Sequence, residues 1–566
     1  MKELMLTNQA IALGAWEAGV RVVSSYPGTP STEITENTAK YREIHSEWAP
    51  NEKVALEVGI GASMAGARAM VCMKHVGLNV AADPLFTAAY TGVNGGLVIV
   101  VADDPGMHSS QNEQDSRFYA RSAHVPMVEP ADSAEAAEYV AWALDLSEAY
   151  DTPVILRTTT RIAHAQSVVE IGERKEVPLK EYKKDAPKYT MLPAHAKGRH
   201  LVVEARENRL KADCLSFPQN RVEMRDASVG VVCAGAIYQH VREAMPTASV
   251  FKLGMVYPLP IAAIGEFAKQ VDKLLVVEEL EPFIENQLKA NGIPCVGKEL
   301  FGLQGEITVA TIKQKVLGEA APVAAKVPAR PPLLCAGCPH RGVYYVLHKL
   351  HCVVNSDIGC YTLGALAPLS AVDSVVCMGA SLGMAHGFKY ARPDANNVAV
   401  IGDSTFVHSG ITGLINAVYN QSGITLIILD NRTTGMTGHQ DHPATGKTCM
   451  GDAAPRLDLE RLCLACGVAK VDVVDPYDMQ AFETVLKDAL ADSKERVIIT
   501  RRACIMKERV KDAKPLVVKD CRGCGKCLGL GCPAIVKRDG KAVIDGTQCL
   551  GCNLCREVCP FGCIGE

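Results

Sequence analysis

Cysteine dominates the chemistry this sequence can do. The chain of 566 residues holds 22 cysteines, and nine of them fall between Cys521 and Cys563. Eight form two runs, Cys521-x2-Cys524-x2-Cys527-x4-Cys532-Pro533 and Cys549-x2-Cys552-x2-Cys555-x3-Cys559-Pro560. The spacing C-x2-C-x2-C-x3-C-P, repeated, holds two [4Fe-4S] clusters: three close thiolates wrap one cubane and the fourth crosses to the other. Cys521, Cys524, Cys527 and Cys559 are therefore expected on one cluster, and Cys549, Cys552, Cys555 and Cys532 on the second. Thiolates suit iron because they are soft ligands that spread the charge of the core. The x4 spacing of the first run departs from the pattern by one residue. Structural zinc is the alternative for any single C-x2-C pair, but two near-copies that both close on Cys-Pro favour iron. Cys563 is left over as a core thiol.

A second constellation lies upstream. The β-rich run Val398–Ile401 ends in Gly402-Asp403-Ser404, a helix is expected near His408-Ser409-Gly410, and the next strand, Thr425–Leu429, ends at Asp430-Asn431-Arg432-Thr433. This resembles the thiamine diphosphate motif, Gly-Asp-Gly followed some distance later by Asn, with Ser404 in place of the second glycine. A βαβ crossover of this length returns a parallel strand beside the first. That sets Asp403 and Asn431 side by side at strand carboxyl ends, where open α/β sheets bind ligands. Mg²⁺ wants oxygen donors and carries phosphates. Asp403, the Asn431 amide oxygen and the Thr433 carbonyl are its expected ligands, with the helix start behind Ser404 facing the diphosphate.

These residues need elements to hold them. Up to about residue 325, strand-like runs (Val20–Ser24, Leu97–Ala102, Pro153–Leu156) alternate with helical stretches such as Ala131–Tyr150, which indicates a parallel sheet with helices on its faces. Val169–Lys211 is polar and weakly periodic and reads as an irregular excursion closing at Arg221–Asp226. Strands near Val229–Cys233, Val250–Leu253 and Leu274–Val277 mark a smaller α/β unit. A loose Ala/Pro/Val tract, 320–332, is a linker. A third α/β unit follows, with strands at Cys352–Asn355, Ser374–Met378, Val398–Ile401, Thr425–Leu429, Val471–Val474 and Val497–Thr500. Residues 511–519 then lead to the cysteine runs. In the first unit, the small-residue helical stretch from Ala55 to Ser63 carries one acid, Glu57, among Leu56, Val58 and Ile60. Its Gly59-x-Gly61-x4-Gly66 lies inside a helix and is no dinucleotide fingerprint.

Composition sets the outer limits. Hydrophobic residues make up 48% and charged residues 22%, and the net charge is −4. A dedicated nucleic-acid binder normally has a basic excess, so none is expected. No apolar run reaches the ~18–20 residues that span a bilayer. The opening residues lack a signal peptide's apolar segment and read as the start of a helix, so a cytoplasmic protein is expected.

Taken together, the residues resemble the 2-oxoacid:ferredoxin oxidoreductases, in particular the large subunits of the branch that acts on aryl pyruvates. The resemblance is carried by Tyr26-Pro27-Gly28-Thr29-Pro30-Ser31, Lys74-His75-Val76-Gly77-Leu78-Asn79, Cys335-Ala336-Gly337-Cys338-Pro339-His340-Arg341, Asp357-Ile358-Gly359-Cys360-Tyr361, Gly402-Asp403-Ser404 and the cysteine runs, and it covers essentially the whole chain. It implies several doubly wound parallel-sheet α/β domains plus a C-terminal two-cluster ferredoxin-like α+β domain. The implied boundaries are a pyrimidine-binding domain at 1–225, a small transketolase C-terminal-like domain at 226–325, a diphosphate/Mg-binding domain at 330–510 and the 2×[4Fe-4S] domain at 515–566. The x4 spacing is usual in this family. The implied reaction is oxidative decarboxylation of an aryl pyruvate such as indolepyruvate with coenzyme A and oxidised ferredoxin, in anaerobic metabolism.

The resemblance also implies roles. Glu57 is expected against the aminopyrimidine ring of thiamine diphosphate, Thr29 and His75 toward the substrate, and Gly402, Asp403, Ser404, Asn431 and Thr433 toward the cofactor and Mg²⁺. The pyruvate relatives carry Ile where this chain has Gly28, which opens the loop. By the same resemblance Cys335, Cys338, Cys360 and Cys504 are candidates for a third [4Fe-4S] cluster; the alternative is that Cys335 and Cys338 only shape the loop near the diphosphate while Cys360 and Cys504 are buried small hydrophobes. The implied partners are a smaller β subunit, ferredoxin and a second α chain. A non-oxidative thiamine decarboxylase would not need the cysteine runs. A bare electron carrier would not need Asp403 and Asn431.

Overall fold

The computed structural model describes residues 1–320, 327–328, 331–511 and 513–565. The linker expected at 320–332 lies mostly outside the described residues, as does one residue of the 511–519 connector. The chain forms two compact units, Met1–Lys326 and Val327–Glu566.

The first unit is built on a seven-stranded sheet. Its order is Met255–Tyr257, Met127–Val128, Val154–Thr159, Leu97–Asp103, Ala69–Lys74, Val22–Ser25, His45–Trp48. All neighbours are parallel except the edge strand Met255–Tyr257, which is antiparallel. The inner strands Ala69–Lys74, Leu97–Asp103 and Val154–Thr159 are buried along their whole length, as parallel strands covered on both faces must be. A four-stranded sheet, Leu274–Val276, Asp226–Ala234, Ala248–Leu253 and Arg221–Glu223, packs in the same unit.

Three expectations are corrected here. A boundary at 225/226 does not separate the two sheets. Met255–Tyr257 crosses back to the large sheet, and Arg221–Glu223 pairs with Ala248–Leu253. One apolar cluster takes Leu97 and Ile99 from the large sheet and Val232 and Phe251 from the small one. The expected irregular excursion contains a 21-residue helix, Pro193–Asp213. Only Val203, Arg206 and Leu210 of it are buried, a narrow stripe that leaves little periodicity to read. The first residues form a strand, Lys2–Leu6, before the helix Thr7–Glu17, because Gln166–Glu170 offers them an antiparallel partner.

The second unit carries an all-parallel five-stranded sheet in the order Val353–Asn355, Asn397–Gly402, Thr425–Asp430, Arg496–Arg501, Lys470–Val474. The strand expected at Ser374–Met378 is absent; Ser374 makes a single bridge to Asn355. The helix expected near His408 begins at Asp403, directly after the strand, and passes through one π turn at Phe406–Gly410 before Ile411–Tyr419. Such turns occur often at functional sites. The cysteine-rich tail adds two small antiparallel pairs, Val517–Val518 with Ile564–Gly565 and Ile535–Arg538 with Lys541–Ile544. It is not packed apart. Leu530, Ile535, Leu554 and Cys555 share a core with Val343, Tyr344 and Leu347. Among the described residues no helix is long and apolar enough to cross a membrane.

Candidate active site

In the second unit, Asp403 and Asn431 stand at the carboxyl ends of adjacent parallel strands, where Gly402 pairs with Leu429. Asp403 is buried, and its carboxylate accepts from the Ser404 N–H (2.9 Å) and the Arg432 N–H (2.7 Å). His442 Nε2 lies 3.2 Å from the same carboxylate. The Asn431 amide oxygen accepts from the Thr433 N–H at 3.2 Å, and Thr433 is buried beside it. Burial, then the charge of Asp403, holds the Asp430 carboxyl above its ordinary range, while Arg501 at 2.7 Å opposes the shift. Gly402 serves close approach: a Cβ there would stand 2.7 Å from the Tyr361 ring. Ser404, which replaces a glycine of the motif, is buried and accepts from the Thr434 hydroxyl at 2.9 Å.

Four cysteines surround this region. Cys335 and Cys338 sit in the loop before the helix His340–Lys349, and Cys360 opens the turn Cys360–Ala365. The Cys504 N–H donates to the Asn431 carbonyl at 2.9 Å. Burial pushes the Cys360 thiol up to about 11, with Cys504 and then Cys335 adding to the shift, so both lie within electrostatic reach of Cys360. Cys338 is pushed up to about 12 by burial, with Cys335 and Cys360 among its neighbours.

The tail cysteines sort into two sets. Cys532, Cys549, Cys552 and Cys555 line one small cavity, and Cys521, Cys524, Cys527 and Cys559 line another. In each set the fourth cysteine of one run joins three of the other. Gly337 lines the first cavity, and a Cβ on it would lie 3.6 Å from Cys552 Cβ. Ala336 and Gly337 of the Cys335–Cys338 loop therefore form part of the wall of that cavity. Cys563 lines the second cavity as well. Among the described residues no three His, Cys, Asp or Glu side chains converge as they would on one metal ion. A cubane holds its thiolates farther apart than a single ion does. The Asp403 set offers one carboxylate, one amide and one carbonyl.

In the first unit Glu57 is not the buried acid of its helix. That side chain is 45% exposed and pairs with Lys53 one turn away. The buried acid of the helix Glu52–Met64 is Glu52, at its first position and 5% exposed. Asn51 caps the helix by accepting from the Val54 N–H at 3.0 Å, which fixes the entry of Glu52 just past the strand His45–Trp48. A Cβ on Gly77 would stand 2.7 Å from the Glu52 carboxylate, so the carboxylate rests against the helix His75–Val80. The missed signal was position: Glu52 follows a strand end, whereas Glu57 lies a turn deeper in the helix.

His75 is buried, and neither ring nitrogen makes a hydrogen bond of good geometry, although the Ala102 carbonyl is near. Burial holds its imidazole below the ordinary range. Thr29 lies in the loop after Val22–Ser25. Its carbonyl accepts from the Ser109 hydroxyl at 3.3 Å, and the Ser31 hydroxyl donates to the Gly28 carbonyl at 2.8 Å. The structure thus gathers Thr29, His75 and Glu52 at one end of the large sheet and leaves Glu57 outside.

Residues 13–225 match the model of the pyruvate flavodoxin/ferredoxin oxidoreductase thiamine-diphosphate-binding family, and residues 357–500 match that of the C-terminal thiamine-pyrophosphate-binding domain of thiamine pyrophosphate enzymes. The fold and site thus define a thiamine-diphosphate-binding enzyme of the 2-oxoacid oxidoreductase class. The chain is 41% identical to the indolepyruvate oxidoreductase subunit IorA of Archaeoglobus fulgidus, over 99% of this chain and 96% of that one. It is 40% identical to IorA of Thermococcus kodakarensis, with the same two coverages. A solved 2-oxoglutarate:ferredoxin oxidoreductase from Magnetococcus marinus is 20% identical with a TM-score of 0.48, covering 56% of this chain and 65% of that one. The chain belongs to the indolepyruvate oxidoreductase subunit IorA family.

Proposed function

We propose that the chain is the catalytic α subunit of an enzyme that oxidatively decarboxylates aryl pyruvates such as indolepyruvate. Coenzyme A and oxidised ferredoxin are consumed, and arylacetyl-coenzyme A, carbon dioxide and reduced ferredoxin are formed. It works with a smaller β subunit and with a second α chain. The observation that carries this reading lies within the second unit, where the strand-end pair Asp403–Asn431 and three sets of cysteines are built together. The Cys504 N–H on the Asn431 carbonyl and the Gly337 approach to Cys552 link those sets through short stretches of chain. A non-oxidative decarboxylase has no use for that arrangement.

The donors fit the groups proposed for them. Asp403, Asn431 and Thr433 offer the hard oxygens Mg²⁺ prefers, beside a helix start suited to phosphate. The two tail sets, and Cys335 with Cys338, Cys360 and Cys504, offer four thiolates each, enough for three [4Fe-4S] clusters. Bound thiamine diphosphate supplies a carbon nucleophile and an electron sink for loss of CO2. Glu52, buried against Gly77, takes the part expected of Glu57: it holds a proton toward the pyrimidine ring and passes it as general acid and base. Thr29 and His75 face the substrate. The helix His75–Val80 fixes His75 beside Glu52 through Gly77.

The test is anaerobic reduction of ferredoxin by indolepyruvate with co-purified α and β subunits. Coenzyme A-dependent reduction is expected. Decarboxylation without acceptor reduction would replace this reading by a non-oxidative one.

A further inference from the structure

Lys74 closes the strand Ala69–Lys74, between Val22–Ser25 and Leu97–Asp103 in the large sheet. The carboxyl ends of such inner parallel strands are where ligands bind. Lys74 is 8% exposed, and its ammonium donates to the Ser109 carbonyl at 2.8 Å. Among the described residues it forms no ion pair with a carboxylate. Asp104 acts on it only at longer range; the Asp104 carboxylate accepts from the Ser109 N–H (2.8 Å), the Ser110 hydroxyl (2.6 Å) and the Thr160 hydroxyl (2.6 Å). A buried cation held by a neutral carbonyl is costly unless an anion completes its shell.

The surrounding loop is shaped around this side chain. A Cβ on Gly28 would stand 3.3 Å from Lys74 Cβ and 3.9 Å from its Cδ, so the Tyr26–Ser31 loop lies on the lysine stem. The next residue, Thr29, is tied through its carbonyl to Ser109, the residue that receives the ammonium. Thr29, Ser109 and the Lys74 ammonium thus border one edge, with His75 next in the chain. If the ammonium served only to tie down the Ser109 loop, a neutral donor would do the same without the burden of a buried charge.

We propose that Lys74 binds the carboxylate of the 2-oxoacid substrate and sets the preference for oxoacids over their neutral analogues. This rests on the function proposed above. Gly28 is then the small residue that lets the lysine stem lie under the loop.

The test uses the α–β enzyme without added cofactor and measures equilibrium binding of phenylpyruvate and of its neutral methyl ester, for wild type, Lys74→Met and Lys74→Arg. Thiamine diphosphate uptake and iron content, measured in parallel, select correctly folded preparations. Lys74→Met is expected to weaken phenylpyruvate roughly 10–100-fold, the range of one charge-assisted hydrogen bond, and to leave the ester unchanged. Lys74→Arg is expected to recover much of the loss. Equal loss for both ligands, or none, overturns the proposal. Wild type that binds phenylpyruvate through Lys74 yet reduces no acceptor sinks the oxidoreductase reading alone. Wild type that oxidises phenylpyruvate while Lys74→Met binds it normally sinks this proposal alone.

Discussion

Glu52→Gln should abolish most of the turnover while Glu57→Gln leaves it intact. The two acids sit five residues apart on one helix, about 140° apart around its axis at 3.6 residues per turn. Glu52 is buried with its carboxylate against Gly77, and Glu57 is half in solvent beside Lys53. Glutamine has the shape of glutamate, so Glu52→Gln keeps the packing and removes only the ability to pass a proton. Loss of general acid–base help is worth roughly 10²–10⁴-fold in kcat. At about 1.36 kcal/mol per decade this is about 3–5 kcal/mol of barrier. Gly77→Ala displaces the same carboxylate without removing it. Its methyl would stand 2.7 Å from the carboxylate, so Glu52 must shift. Overpacking of that kind typically costs about 1–3 kcal/mol in stability. The assay is anaerobic indolepyruvate-dependent dye reduction with saturating thiamine diphosphate, together with exchange of the C2 proton of the bound cofactor followed by NMR. Glu52→Gln should slow both and retain iron and cofactor. A kcat within a few-fold of wild type for Glu52→Gln, or an equal loss for Glu57→Gln, would refute the argument.

Asp403→Asn should lose Mg²⁺ and thiamine diphosphate together, because it removes the one carboxylate of the set; stoichiometric cofactor after gel filtration would speak against the assignment. Iron analysis of anaerobic enzyme should give about twelve atoms per chain, falling by about four in Cys504→Ala, and about eight in a fully active wild type would exclude the third cluster. Gly28→Ile should raise KM for aryl pyruvates without loss of iron, since its side chain must push aside the Lys74 stem; an unchanged KM would show that loop and lysine are not coupled. Glu279 carries a pH dependence of stability. Burial pushes its carboxyl up to about 7, against the Ile307 N–H bond and the charge of Arg157. The folded chain therefore holds a proton that the unfolded chain releases near the ordinary glutamate value. That contribution is complete below the unfolded value and is lost as pH rises through about 7. It amounts to at most about 3 kcal/mol. Glu279→Gln should flatten the fall in melting temperature between mildly acid and neutral pH, and an unaltered slope would locate the titration elsewhere.

The parts of the site legible in sequence are those whose geometry is local. Eight tail cysteines repeat at spacings that fix loop shape, so their division into two crossed groups is readable in the chain, and the two cavities are lined by those groups, with Cys563 added to the second. Asp403 and Asn431 were equally readable, because one βαβ crossover returns the second residue beside the first whatever surrounds it. The acid of the first unit was not. Glu52 and Glu57 share one helix, and apolar neighbours in sequence surround Glu57 more closely than Glu52. Only the packing of that helix against the strands Val22–Ser25 and Ala69–Lys74 and the helices His75–Val80 and Ala82–Thr91 decides which face is turned inward. The helix Pro193–Asp213 was hidden for a related reason, with three buried positions in 21 residues.

By itself, then, the sequence determined the α/β class, the grouping of the tail cysteines and the strand-end placement of Asp403 and Asn431, since each rests on spacing along the chain and on the fixed rise and pitch of strands and helices. The tertiary structure alone decided which glutamate is buried, that the small sheet and the cysteine tail share cores with the larger sheets, and that Lys74 lies under the Gly28 loop. Those outcomes depend on which faces of distant segments meet, and burial, which sets the cost of every charge, is a property of that meeting rather than of any stretch of chain.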